Sequence, residues 1–208
     1  MKKLILFVLI VQGLFAYEIN DSIINEKYFN SCNQILENNT FRSCYDYNYK
    51  GVTASFAYYF GEDVDSVNMA KRPNFYEDTR IPQQYRVKTV DYYHINMDKG
   101  HIQSDASNDY SESALEETYA LTNSVPMYAR TNRISYLYVE KRERELAKEF
   151  GLIKVLTLVE YTSQKINGMF IPKEFIKVFF NGSFSECYKI KNDNNTYTLD
   201  QMKIECNY

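Results

Sequence analysis

Residues 132–161 read NRISYLYVEKRERELAKEFGLIKVLTLVEY, and this stretch decides the fold class. Its first part, residues 132–150, is rich in Glu, Arg, Leu and Ala, which favour helix. Gly151 follows at the position where a C-terminal cap is expected. Residues 153–161 are apolar and β-branched, which indicates a buried strand. The stretch therefore predicts a helix that stops at a glycine and leads directly into a sheet.

Further strands are predicted on both sides of this unit. Residues 52–60 (VTASFAYYF) and 175–180 (FIKVFF) are apolar and aromatic, and partial alternation over residues 85–95 indicates one more strand. Residues 61–65 are typical of a turn and residues 113–122 of a short helix. Strands and helices in this order predict an α+β domain with a largely antiparallel sheet flanked by helices.

The N-terminus has the layout of a secretory signal peptide. Lys2 and Lys3 precede an apolar run over residues 4–15, and Ala16 is the small residue expected at a cleavage site. A transmembrane helix takes about 20 apolar residues, so a retained anchor is the weaker alternative. We therefore expect a signal peptide over residues 1–16, one domain over residues 17–208, a periplasmic or secreted location, and no membrane contact after cleavage.

Four cysteines follow the predicted cleavage site, namely Cys32, Cys44, Cys187 and Cys206. An even number in an oxidising compartment favours disulfides over a zinc site. Of the three possible pairings we favour the local ones, Cys32–Cys44 and Cys187–Cys206, because each closes a short loop and staples one end of the chain. Residues 17–49 accordingly read as a disulfide-closed N-terminal extension.

The net charge argues mildly against a nucleic-acid partner. Removal of Lys2 and Lys3 takes the formal charge from −3 to −5, whereas proteins that bind nucleic acids without sequence preference tend to be basic. A local basic groove remains compatible with this total. The charge predicts weak, salt-sensitive affinity for a polyanion, with a metal ion supplying part of the positive charge.

Only two histidines are present, His94 and His101, which limits the catalytic chemistry. The G-x-S-x-G, H-E-x-x-H and P-loop patterns are absent. His94 falls in the strand-like run 85–95 and is interpreted as a structural or surface residue. His101 follows Asp98-Lys99-Gly100, where the glycine permits close backbone approach. Taken alone, a histidine in a turn is more often structural.

The motifs around His101 resemble, in order and spacing, those of the DNA/RNA non-specific endonuclease family, whose ββα-metal site is marked by Asp-Arg-Gly-His. Here that motif reads Asp98-Lys99-Gly100-His101. Asn123-Ser124-Val125-Pro126 is similar to the family's Asn-x-x-Pro. Asn132 lies nine positions after Asn123 and matches a metal-binding asparagine, and Glu140 and Arg144 match the family positions that follow it.

Two flanking segments extend the resemblance to residues 52–180. Arg72-Pro73-Asn74-Phe75-Tyr76-Glu77-Asp78 is similar to an Arg-containing segment of the family, and residues 171–178 (IPKEFIKV) are similar to its late V-P-x-x-F-x-K-V strand. The chain departs from the family at Lys99, which replaces an arginine and loses its fork geometry, at Met127, and over residues 102–104. These departures bear on substrate preference and rate.

The resemblance implies a ββα-metal nuclease core that cuts DNA, with RNA as a further candidate substrate, and leaves 5′-phosphate ends. It implies His101 as general base, with Asn123 or a backbone carbonyl orienting the ring. It implies Asn132 as the ligand of Mg²⁺, or of Mn²⁺ or another divalent ion, and Glu140 as a ligand through water. The remaining residues that it assigns are Arg72 and Arg144 as catalytic phosphate contacts, and Asp98, Lys99 and Arg133 as substrate-binding residues.

Ordinary structural roles compete with several of these assignments. Asn132 could be a helix N-cap, Glu140 and Arg144 a solvated i,i+4 pair, and Arg72 a surface arginine. For the whole protein, the rival hypotheses are an exported binding protein on a retired nuclease scaffold and a nuclease with a narrow RNA or single-strand substrate. The sequence leaves the oligomeric state open, a homodimer included.

Overall fold

The computed structural model describes residues 21–182 and 184–207, so the predicted signal peptide lies outside the described residues. The strands are β1 (Gln34–Glu37), β2 (Phe41–Asp46), β3 (Gly51–Phe60), β4 (Asp98–His101), β5 (Ser124–Met127), β6 (Leu152–Ile166), β7 (Met169–Asn181), β8 (Phe184–Lys191) and β9 (Lys203–Ile204). The α-helices are α1 (Ser22–Ile24), α2 (Glu112–Thr118), α3 (Leu137–Phe150) and α4 (Leu199–Met202). Short 3₁₀ turns cover Gln83–Tyr85, Thr89–Tyr92 and Leu121–Asn123, and π-helical turns cover Asn25–Phe29 and Thr131–Tyr136.

One large antiparallel sheet carries the fold. Its seven strands run in the order β1-β2-β3-β6-β7-β8-β9, and β4 and β5 form a separate antiparallel pair. The predicted α+β class and the strands at 52–60, 153–161 and 175–180 are confirmed. Both ends of the domain take part in the sheet, since β1 and β2 pair with β3 and β9 pairs with β8. They are integral strands and not appended extensions.

Alternation along the strands gives the sheet two apolar faces. One face, with Ala57, Val155 and Phe179, packs against α3, β5 and the segment around Ile102. The other face, with Phe56, Leu156 and Val178, packs against the N-terminal helical turns and both disulfides, as the cluster with Ile24, Phe29, Cys44 and Cys187 shows. The expected local pairs Cys32–Cys44 and Cys187–Cys206 are both formed.

The helix predicted over residues 132–150 is confirmed, as is its glycine stop. A π-helical turn from Thr131 runs into α3, and Gly151 closes the helix in the left-handed conformation at φ +75°. Asn132 lies inside this helical run, with its backbone N–H bonded to Tyr128 O at 2.9 Å, so it is not an N-cap. None of the described helices has the length and apolar character needed to cross a bilayer.

The strand predicted over residues 85–95 is wrong. Two 3₁₀ turns occupy much of this segment, Gln83–Tyr85 and Thr89–Tyr92. Side chains there bond the local backbone: Asp91 accepts from Lys88 N at 2.8 Å, and Arg86 donates to Ile81 O. Such local bonds offer the backbone an alternative to a sheet ladder. His94, as interpreted, is exposed, and its φ of 60° places it in a left-handed turn.

Candidate active site

A two-stranded ribbon places His101 at the site. Strand β4 pairs with β5 in the register Asp98–Met127, Gly100–Val125 and His101–Ser124. A Cβ on Gly100 would lie 2.7 Å from Met127 Cβ and 2.5 Å from Met127 Cε. The glycine is therefore needed because the Met127 side chain fills the space above it. The expectation of close approach holds, although the approaching group is a side chain and not a backbone segment.

The imidazole of His101 sits between two aromatic rings. Phe75 stacks on it at 5.1 Å between ring centroids, and Tyr119 meets it edge-on at 4.9 Å. His101 Nε2 is buried and forms no hydrogen bond within the described residues. Burial lowers the pKa of His101 and so does Arg72, whereas the carboxylate of Asp105 raises it; the net shift is downward. The lowered pKa therefore favours the neutral imidazole, which is the form that a proton acceptor needs.

Asp105 links groups around His101, and its place in a polar run was its one distinguishing feature in the sequence. It accepts a hydrogen bond from Tyr119 Oη at 2.9 Å and pairs with Arg72 Nε at 3.3 Å. Its charge also raises the pKa of Glu140. Asp105 therefore contacts Arg72 and Tyr119 directly and acts electrostatically on His101 and Glu140.

Arg72 is held by two carboxylates. Besides Asp105, it donates to Asp109 Oδ2 at 2.9 Å, and to Met69 O at 2.9 Å. Its side chain is a third exposed, so one side of the guanidinium remains open. In the sequence, Arg72 was singled out because its segment is similar to one of the family. The two aspartates that set the direction of its side chain lie more than thirty residues away along the chain.

The side chain of Asn132 is oriented by Asp98, the first residue of strand β4. Its Nδ2 donates to Asp98 Oδ2 at 3.0 Å, and Arg133 forks onto the same carboxylate at 2.7 and 2.8 Å. Although burial raises the pKa of Asp98, bonds from Arg133 and Asn132 lower it, with a net downward shift. Because Nδ2 is committed to Asp98, Asn132 Oδ1 is the atom left free, and it makes no hydrogen bond in the described part of the chain.

Asn123, which with a backbone carbonyl was a candidate to orient His101, instead bonds the segment after β4 and the end of α2. Its Oδ1 accepts from Gln103 N, and its Nδ2 donates to Gln103 O and Thr118 O, all near 3.0 Å. None of these bonds reaches His101. Lys99 lies over the rings of Phe75 and Tyr92 at 5.0 and 5.6 Å, so its charge contacts the same aromatic wall as His101.

Glu140 and Arg144 lie one turn apart on α3 without pairing through their charged ends. Arg144 donates to the backbone O of Glu140 at 3.1 Å and pairs with Asp65 at 3.2 Å. Burial raises the pKa of Glu140 to about 8, with Glu143 and Asp105 adding to it and Lys177 and Arg144 opposing it. The Glu140 carboxylate accepts no hydrogen bond from any residue that the structure describes.

A fully buried ion pair underlies this part of α3. Lys177 Nζ donates to Glu143 Oε2 at 2.7 Å, and Ser107 Oγ donates to Glu143 Oε1 at 2.7 Å. Lys177 belongs to the FIKV stretch, whose alternation places it between Phe175 and Phe179 on the face toward α3. In the sequence, a lysine within this apolar run was the feature that could have pointed to a buried ion pair. The pair joins the sheet, helix α3 and the loop that bears Asp105.

The donors at the site suit a hard divalent cation. Within the described ranges, no three His, Cys, Asp or Glu side chains gather as a metal-binding group. Mg²⁺ retains several waters and needs few protein oxygens. Asn132 Oδ1 and the Glu140 carboxylate are unpartnered oxygen atoms about two turns apart on one helical run. A carboxyl whose pKa is raised by burial gains from a nearby cation. These residues fit a metal held by one amide oxygen and by waters.

The fold and the site define a class: an α+β domain with a half-buried histidine of lowered pKa on a two-stranded ribbon, next to a helix that presents an asparagine and a glutamate. The profile of the DNA/RNA non-specific endonuclease family matches residues 20–207. The chain therefore belongs to the DNA/RNA non-specific endonuclease family.

Several known proteins are similar to this chain. A nuclease of Syncephalastrum racemosum is 33% identical over 109 residues, which cover 49% of this chain and 34% of that protein. Human mitochondrial endonuclease G is 23% identical over 159 residues, covering 70% and 54% of the two chains. A crystal structure of the EndoG/EndoGI complex, on the mechanism of EndoG inhibition, contains a chain of the same fold, with a TM-score of 0.76, 21% identity, and coverage of 89% and 86%. The matched regions span between a third and about half of these curated relatives.

Proposed function

We propose that this chain is an exported, Mg²⁺-dependent endonuclease that hydrolyses phosphodiester bonds of DNA and RNA without strong sequence preference and leaves 5′-phosphate ends. The observation that carries the proposal is His101, whose ring contacts Phe75 and Tyr119 and whose pKa is lowered by burial. Family membership over residues 20–207 supports the reaction class, and the signal-peptide pattern of residues 1–16 supports export.

His101 accepts the proton of the attacking water. The base has to be neutral to do so, and the Phe75–Tyr119 wall keeps it neutral because burial penalises the imidazolium. Asp105 lies close enough to stabilise the imidazolium electrostatically once the proton has arrived. Burial thus favours the neutral imidazole before the proton transfer, and Asp105 stabilises the imidazolium after it.

Arg72 supplies fixed positive charge for the phosphate. Its hydrogen bonds to Asp109 and Met69 O hold the guanidinium in place before substrate arrives, and charge that is preorganised in this way stabilises a transition state with little reorganisation. Arg144, only 11% exposed, would act from the helix side. Lys99 and Arg133 would attract neighbouring phosphates.

Asn132 would hold the metal through Oδ1, and Glu140 would hold one of its waters. A divalent ion held there would supply positive charge to the scissile phosphate and the departing 3′-oxygen. Asp98 orients Asn132 by taking its Nδ2 hydrogen, which is the kind of outer contact that fixes a metal ligand. Mn²⁺ could replace Mg²⁺ at a site built from oxygen donors.

Cleavage of supercoiled plasmid by the oxidised mature protein tests the proposal. We expect nicking and degradation with Mg²⁺, none with chelator, and a loss of at least about 100-fold in His101→Ala. His94→Asn is the matched control, because His94 is exposed and asparagine tolerates its left-handed φ of 60°. A folded wild-type protein that cuts neither DNA nor RNA with any of several divalent ions would make the chain a retired scaffold used for binding.

A further inference from the structure

The side chain of Tyr119 contacts the proposed base and a neighbouring carboxylate at the same time. Its ring meets the imidazole of His101 edge-on, with 4.9 Å between ring centroids. Its hydroxyl donates to Asp105 Oδ2 at 2.9 Å. Burial and the charge of Asp105 raise the pKa of Tyr119, so the phenol keeps its proton and is the donor in this bond. One residue therefore joins the proposed base to the carboxylate that acts on it.

The hydroxyl of Tyr119 has a fixed position. Tyr119 caps the C-terminus of α2, where its backbone N–H bonds to Glu116 O at 3.0 Å. Its carbonyl oxygen accepts from Tyr76 N at 3.1 Å, and Leu121 N donates to Tyr76 O at 2.8 Å. The ring is buried and packs against Phe75 at 4.8 Å between centroids. The main chain and the aromatic packing therefore place the hydroxyl, and the carboxylate to which it donates does not.

The direction of the Asp105 carboxylate, by contrast, depends on Tyr119. Both contacts of this carboxylate use Oδ2, and Oδ1 accepts no hydrogen bond from any residue that the structure describes. The second contact, with Arg72 Nε, is longer at 3.3 Å, and Arg72 bonds Asp109 more closely at 2.9 Å. In the proposed reaction Arg72 also contacts the phosphate. The hydroxyl of Tyr119 is consequently the contact that holds the Asp105 carboxylate throughout.

Three charged side chains act on the imidazole of His101 or on the rings around it. Asp105, from the loop after β4, raises the pKa of His101, and Arg72, from the segment after β3, lowers it. Lys99, on β4 itself, lies over an aromatic ring that stacks on the imidazole. Among these three, Asp105 is the one that bonds Tyr119 in the described chain. The hydroxyl therefore acts on the base through this carboxylate.

We infer that Tyr119 is a positioning residue of the proposed nuclease, whose hydroxyl holds the Asp105 carboxylate in place and limits its attraction for the proton that His101 accepts. The inference rests on the proposed function, since it takes His101 as the base. A donor to a carboxylate takes up part of its charge. Without that donor, Asp105 is free to turn toward the imidazole, and an opposite charge nearer to His101 favours the imidazolium.

Titration of His101 by NMR tests the inference without any cleavage. The chain has two histidines, so His94→Asn leaves one imidazole signal. In this background, without metal, Tyr119→Phe is expected to raise the pKa of His101 by about 0.5, a fraction of the shift of about 1–3 that a close opposite charge causes. Asp105→Asn should lower the pKa. Tyr119→Phe added to Asp105→Asn should change it no further, because the carboxylate through which the hydroxyl acts is gone.

Tyr188→Phe is the matched control for the loss of a hydroxyl. Tyr188 likewise donates to a carboxylate that pairs with an arginine, Glu186 with Arg142, but it lies on strand β8. This variant should lower the melting temperature and leave the pKa of His101 in place. An unchanged or lowered pKa in Tyr119→Phe would overturn the inference, as would an equal rise with and without the Asp105 carboxylate.

Kinetics of an active wild type give a second readout. In Tyr119→Phe the acid limb of kcat/KM should move toward neutral pH by about 0.5, so activity falls about threefold on the acid side and little above pH 8. An equal loss at every pH would mean a purely structural role and refute the inference. A folded wild type that cuts nothing refutes the proposed function alone, because the NMR titration still decides the role of Tyr119.

Discussion

Lys177 and Glu143 form an ion pair of 2.7 Å in which neither side chain has any exposed area. Breaking a buried pair leaves an uncompensated charge, which costs about 3–5 kcal/mol. We expect Lys177→Met to lower the free energy of unfolding by that amount in urea titrations of the oxidised protein. Lys177→Met/Glu143→Met should recover a large part of the loss. If the double variant is no more stable than Lys177→Met, the loss of stability does not come from an uncompensated charge.

The pH profile of kcat/KM should report the lowered pKa of His101. A general base works when deprotonated, so activity falls as the pH drops through the pKa. Burial and Arg72 lower the pKa of His101 from 6.5, and Asp105 opposes them. The acid limb of the profile, where activity falls with falling pH, should therefore lie below pH 6.5. Asp105→Asn removes the charge that raises the pKa and should move the limb further toward acid, while Glu149→Gln leaves it in place. A limb that moves toward neutral pH in Asp105→Asn would contradict the assignment.

Asp98 should control the response to metal through Asn132. Asp98→Ala removes the acceptor of Asn132 Nδ2, and loss of such an orienting contact typically costs about 10–100-fold in metal affinity. The Mg²⁺ concentration for half-maximal cleavage should rise by that factor. Arg133→Ala keeps the Asp98–Asn132 bond and should change the metal response less. An equal rise in both variants would contradict control through the Asp98–Asn132 bond, since local charge alone predicts shifts of opposite sign for the loss of an anion and of a cation.

Gly100 should resist substitution because of Met127. An added Cβ would fall 2.7 Å from Met127 Cβ and 2.9 Å from its sulfur, and overpacking of this kind costs about 1–3 kcal/mol. We expect Gly100→Ala to lower the melting temperature and the cleavage rate together. Gly100→Ala should cost less stability in a Met127→Ala background than in the wild type, because the contacts with Cε and the sulfur are then gone although the contact with Cβ remains. The same cost in both backgrounds would show that the end of the Met127 side chain is not the source of the strain.

The two disulfides should stabilise the sheet from its ends. Cys32–Cys44 and Cys187–Cys206 span 12 and 19 residues, and loops of this size correspond to about 3 kcal/mol each in the chain-entropy account. Cys187→Ala/Cys206→Ala should lower the melting temperature, and reductant should lower that of the wild type further. A melting temperature unaffected by reductant would mean that the sheet needs neither link.

The strongly periodic elements were predictable from sequence. The strand of residues 52–60, the helical run that ends at Gly151 and the strands that follow it are specified by local periodicity and by a glycine stop. The local disulfide pairs followed from spacing. Residues 85–95 were misassigned because alternation there competes with the Lys88–Asp91 and Arg86–Ile81 bonds, and strands β1 and β2 were missed because neither has a sustained apolar pattern.

For the site, the sequence by itself determined which residue types are present and at what spacing: His101 after Gly100, Asn132 and Glu140 on one helical run, and Arg72 upstream. Only the tertiary structure decided which way each side chain faces. Asp105 and Asp109 orient the side chain of Arg72, and Asp98 orients that of Asn132. Asn123 binds backbone atoms and not His101. Glu143 pairs with Lys177, which lies 34 residues away along the chain. The physical reason is that hydrogen bonds and burial act between atoms close in space, and local sequence patterns do not specify which distant residues become neighbours.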